Sequence, residues 1–275
     1  MRPPRRIFSA GLVALLAVPV ACRPDTVALE YRFPSGVREY RLEAAGSARW
    51  DIGGGGEGSY RVIFDVSERV REDDGDTAVV EVRMSPIEVV EDGLPAPGSG
   101  DRSFALRLDR YGGVPEVLEV DGVDVAELDP DELVFIGTYR PALPLDPVKL
   151  GGAWDSERLF DVGRVFQEIQ ARGTLESLYL DDDGPIAELS YTGEGPLRWT
   201  TQLPQGLAEL VGTGTTEQHA RFEIDEGVLR EATSTTLGTF EVRVVPSGGA
   251  GTPLTGTLEL ELELEVAARE PMPRH

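Results

Sequence analysis

The chain has 275 residues, with 49 acidic side chains against 26 basic ones, a formal net charge of −23 and 40% hydrophobic residues. Such acidity repels nucleic acid and anionic headgroups, while the hydrophobic content is too high for a chain disordered throughout. A single cysteine, Cys22, excludes any disulfide within the chain.

Arg2, Arg5 and Arg6 open the sequence, and an apolar run from Ile7 to Val18 follows, broken only by Ser9 and Gly11. Small residues then lead to Ala21 and Cys22. A positive start, a short apolar stretch and a small-residue site form a secretion signal. The run is too short for a spanning helix, which needs about 20 apolar residues. A cysteine directly after a small residue resembles a lipobox, although Pro19 stands where an aliphatic residue is usual. The resemblance implies a signal peptide over 1–21 and a lipid anchor and tether over 22–26. Cys22 would carry at least two acyl chains, enough for stable attachment to a bacterial cell membrane or outer membrane. Residues 1–21 hold three arginines and no acid, so the remaining chain carries −26. Lys149 is its one lysine, a usage we ascribe to GC-rich codons and not to recognition.

Strand signals come next. "YRVIFDV" puts Tyr60, Val62, Phe64 and Val66 on one side, and "FALRLD" does the same with Phe104, Leu106 and Leu108. The stretch 91–101, "EDGLPAPGSGD", reads as a loop. Further on, Phe222 and Ile224, then Phe240, Val242 and Val244, keep the same period. The clearest case is "GTLELELELEV". Leu258, Leu260, Leu262, Leu264 and Val266 alternate there with four glutamates. A period of two gives one core face and one wet face, as in antiparallel sheets. The glutamates also discourage edge-to-edge aggregation. Turn signals such as "EDDGD", "DRYGG", "DDDG" and "DEG" separate the strands.

Three features return in order, at offsets of about 110–116 residues. "PSGVREYRLE" at 34–43 resembles 150–159, "EDDGDTAVVEV" at 72–82 resembles 181–190, and "LDRYGGVPEV" at 108–117 resembles 224–232. The join has Asp129 at an N-cap and Pro130 at the first helical position, with Leu133, Val134 and Ile136 as an apolar face. A proline-rich connector follows. The expected fold is therefore mainly β and antiparallel. Two similar β-rich halves, 27–140 and 141–269, would form curved sheets, a sandwich or an open half-barrel. A short helix and the Pro-rich connector would join them, and 270–275 would be a frayed tail.

The connector "LPLDPVKLGGAW", with Leu143, Pro144, Pro147, Val148, Gly151 and Trp154, precedes a half containing "FEIDEGVLREATSTT". Together they resemble an uncharacterised family of bacterial envelope lipoproteins. The resemblance implies an anchored, mainly antiparallel β protein and no catalytic residues.

Motifs for chemistry are sparse. The only histidines are His219 and His275, and no G-x-S-x-G elbow occurs, so a serine–histidine arrangement has little to build on. Zinc lacks its usual ligands. The acidic turns at 72–76 and 181–184 offer oxygens for calcium without the full EF-hand spacing, and read first as hairpin turns. "DIGGGGEG" at 51–58 lacks the lysine of a P-loop. Trp50, Trp154 and Trp199 are candidates for ring stacking or for core and rim. The sequence thus predicts no catalytic, cofactor-binding or metal residues, and lipidation at Cys22. Its partners would be the membrane and a hydrophobic ligand or lipid, with no nucleic acid. Docking of another envelope component and a carboxylate-based hydrolase stand as alternatives.

Overall fold

The alternation seen in the sequence becomes thirteen strands. In the computed structural model, residues 26–98, 100–113, 115–128, 139–162, 165–182, 184–203, 206–246 and 252–269 are described. The expected signal peptide, Cys22, the expected helix over 129–136, the expected frayed tail and His275 lie outside them. The strands are β1 (Val37–Trp50), β2 (Gly56–Asp73), β3 (Thr77–Glu91), β4 (Leu94–Pro95), β5 (Arg102–Asp109), β6 (Glu116–Val120) and β7 (Val123–Asp124). After one 3₁₀ turn at Val125–Glu127 come β8 (Ala153–Val162), β9 (Val165–Asp181), β10 (Gly184–Leu203), β11 (Gly206–Glu223), β12 (Val228–Pro246) and β13 (Leu254–Ala268).

All thirteen form one antiparallel sheet, in the order β7-β6-β5-β3-β2-β1-β13-β12-β11-β10-β9-β8, with β4 paired to β3. The first long strand and the last lie side by side at its centre, where Leu42 faces Val266 and Trp50 faces Leu258. The fold is one open sheet and not two sheets packed as a sandwich. The expected loop at 91–101 is also partly strand. Asp92 and Gly93, both at positive φ, turn the chain so that Leu94 and Pro95 pair back onto Glu91 and Val90.

The inner face holds a core built by the predicted alternation. Tyr40, Leu42 and Ala44 of β1 are buried, as are Val80, Val82 and Met84 of β3 and Leu189 and Tyr191 of β10. Two stretches without ladder partners cover this face. Residues 27–33 place Leu29, Tyr31 and Phe33 in the core, and residues 139–148 place Tyr139, Leu143 and Val148 there. The two meet in a bridge between Val27 and Val148. Their backbone groups find other acceptors. Tyr31 N–H donates to Arg110 O, Arg32 N–H to Gly227 O, and Leu143 N–H to Tyr111 O. These stretches act as straps across the concavity, since a buried backbone group must be paired somewhere.

Further along the strands the inner face changes character. Gly195, Gly214 and Gly238 sit side by side on β10, β11 and β12. Glycine inside a strand marks a bend or a close approach, and the Ile169 side chain lies over Gly195. One step toward the straps, Thr236 donates to Thr216 across the same strands. This waist of small and polar residues divides the large core from a second apolar cluster built on Leu197, Leu210, Phe240 and Val242.

Candidate functional site

The second cluster is where side chains line open space. Rows of inward residues stack there: Leu197, Gly212, Phe240, Leu258 and Trp50; then Trp199, Leu210 and Val242; then Thr201, Ala208, Val244 and Leu254. The last two rows, with Trp50 and Leu258, line a concavity of about 500 Å³, within the roughly 300–1,000 Å³ of small-molecule sites. Its lining among the described residues carries one polar side chain, Thr201. Trp50 lies against Gly56, where a Cβ would fall 2.5 Å from the ring. Ile52 covers Gly256 in the same way. Leu254, 46% exposed, stands at the rim. The roomier hollow of about 630 Å³ opens on the outer face among Arg49, Glu57, Asp92, Glu259 and Glu261. Charged and polar side chains share its lining with Leu237, whereas the apolar end is lined almost wholly by apolar side chains and is the candidate site.

The straps do not reach this end. They are held at the other by a buried polar knot. Glu68, inward on β2 and 4% exposed, accepts hydrogen bonds from the Tyr139 hydroxyl and from Arg140. Gln218, inward on β11, donates to Tyr139 O at 3.1 Å. The Arg140 guanidinium lies 5.2 Å from the centre of the Tyr31 ring, a cation–π distance. Burial works against the charge on Arg140, and Glu68 more than offsets it, so its pKa lies well above the usual value. Burial first, and the Glu68 charge second, push the Tyr40 phenol up to about 12 and hold Tyr139 well above its ordinary value.

These shifts set an alkaline limit. A tyrosine in the unfolded chain ionises near pH ~10. The folded state keeps protons that the unfolded state releases, so the stabilisation is complete below that pH and is lost as pH rises toward 12. An absorbance titration should find Tyr40 and Tyr139 silent until the chain unfolds. Ionisation of every tyrosine with a native circular dichroism spectrum would contradict this burial.

The other sequence candidates lie apart from the pocket. Trp154 packs edge-on against Tyr191 and donates from Nε1 to Ala142 O at 3.0 Å, so it fastens the second strap. Only Trp50 and Trp199 reach the pocket. His219 is exposed on the outer face, opposite Ser190, whose hydroxyl donates to Glu176. The Asp74 carboxylate accepts from the Thr77 and Asp76 N–H groups, which hold its pKa low and close the β2–β3 turn. Among the described residues, no group of three or more acidic, histidine or cysteine side chains is placed to hold a metal. The buried carboxylates among them, Glu68 and Glu223, pair with Arg140 and Arg230. No helix of the described residues is long and apolar enough to cross a membrane.

Sequence reasoning missed the first strap, the Glu68–Arg140 knot and the pocket residues Thr201, Ala208 and Leu210. The strap did carry a signal, because Val27, Leu29, Tyr31 and Phe33 alternate. No family model matches the chain, and a search of curated proteins finds no match.

Proposed function

We propose that the protein is an exported lipoprotein, tied to a bacterial membrane through lipid on Cys22, that binds a hydrophobic ligand without catalysing a reaction. The observation that carries this reading is the apolar concavity of about 500 Å³ between Trp50 and Trp199. Among the described residues, the straps cover one end of the concave face and leave the apolar end open. A soluble protein gains little from an uncovered apolar hollow unless something occupies it.

We also propose that the sheet is built from two related halves. The three recurring sequence features support this by their positions. They fall at the starts of β1 and β8, at the β2–β3 and β9–β10 turns, and at the β5–β6 and β11–β12 turns. The proline-rich connector would then be the second half's counterpart of the first strap.

The test is to export the Cys22→Ser form in a bacterial host and purify it without detergent. Native mass spectrometry beside an organic extract reads its cargo. A stoichiometric apolar molecule, absent from the Trp199→Ala form, is the expected result. A bare mass in both, with apolar additives failing to bind, would transfer the rim residues to a docking role toward another envelope component.

A further inference from the structure

Resting on that reading, we infer that the ligand is an uncharged hydrophobic molecule and that the pocket excludes its anionic counterpart. The lining among the described residues contains no charged side chain. The nearby arginines belong to the opposite face. Arg49, Arg198 and Arg243 occupy outward register positions on β1, β10 and β12, alternating with Trp50, Trp199 and Val242. Arg49 lies 3.9 Å from Glu259 and Arg243 4.0 Å from Glu209, both outside the pocket. The charged group next to the lining is a carboxylate, Asp51, which follows Trp50 and accepts the Thr257 N–H.

A carboxylate or phosphate entering here loses its hydration and finds no cation among the described lining residues in exchange, with Asp51 repelling it. An alcohol or a hydrocarbon loses far less. Thr201 gives a neutral polar end something to meet. This chemistry fits a long-chain alcohol, an isoprenoid or a neutral lipid, and opposes a fatty acid or an anionic phospholipid.

Hexadecanol and palmitate share one chain and differ at the head, so they test the inference directly. Both would compete with bound Nile red on the Cys22→Ser protein at pH 8. Hexadecanol should displace the dye at a concentration at least about tenfold lower than palmitate, since desolvating an unpaired carboxylate is worth that much or more. Thr201→Lys, which adds a cation inside the pocket, should narrow or reverse the ratio. Palmitate equal to or better than hexadecanol on the unmodified pocket would overturn the inference and leave the ligand-binding reading standing. Failure of the dye and both chains to bind would remove that reading and this inference with it. The unmodified-pocket ratio decides even if Thr201→Lys does not fold.

Discussion

Arg140→Met is expected to destabilise the folded chain by about 3–5 kcal/mol, the usual consequence of removing one partner from a buried ion pair. The Arg140 side chain is 9% exposed and that of Glu68 is 3% exposed, so neither charge has water to fall back on. Without the guanidinium, the Glu68 carboxylate keeps one hydrogen bond, from the Tyr139 hydroxyl, and no counter-charge. It must either stay ionised in an apolar setting or take up a proton. Both outcomes weaken the contact that fixes the second strap to β2. Adding Glu68→Gln to Arg140→Met should recover most of the loss, because Gln still accepts from Tyr139 and no charge remains buried. Urea unfolding measures both variants, with a shifted midpoint at constant slope as the sign of a pure stability change. A single variant that unfolds within about 1 kcal/mol of the parent, the range of an exposed pair, would mean the pair is not sealed from water.

The same residues show where the sequence is legible. Val62, Phe64, Val66 and Val70 mark the inner face of β2, and Glu68 falls in that series. A charge at a core position announces that a partner is required. It does not announce which, because Arg140 is 72 residues away and belongs to no strand. Strand periodicity reads well for a related reason. Leu258 to Val266 are placed on one face by local geometry alone, whatever their neighbours are. Strand order is a long-range matter, and nothing in β1 or β13 by itself says that they pair. The straps are harder still. Val27, Leu29, Tyr31 and Phe33 alternate like a strand, yet their path is set by a bridge to Val148 and by two distant turns. The pocket inherits that difficulty. Val242 and Val244 read as a core face in the sequence, and among the described residues they line open space because the straps run elsewhere.

Those two turns should tolerate no side chain at their glycines. Gly112, between β5 and β6, has φ +68°, and a Cβ there would lie 2.6 Å from Pro141 O and 2.5 Å from the Tyr31 ring. Gly227, between β11 and β12, has φ +63°, and its Cβ would lie 2.7 Å from both Arg32 N and Glu30 O. These are contacts with the straps themselves, largely with backbone, which cannot swing aside as a flexible side chain can. Gly112→Ala and Gly227→Ala each add left-handed strain of about 1–2 kcal/mol. Displacing a strap adds about 1–3 kcal/mol of overpacking. We expect a loss of roughly 2–5 kcal/mol for each, from those two sources together. Gly53→Ala is the control, since Gly53 has φ +67° and nothing within 4 Å of its Cβ. It carries the strain without the clash, so its loss should stay near 1–2 kcal/mol. The difference between the variants, read from urea midpoints, isolates the close approach of strap to turn. If all three lose the same amount, the turns are strained but do not clamp the straps. If Gly112→Ala and Gly227→Ala lose more, the pressure of the turns on the straps is measured directly. The straps then stay at their own end because the turns hold them there, which is the condition for the apolar end to remain open.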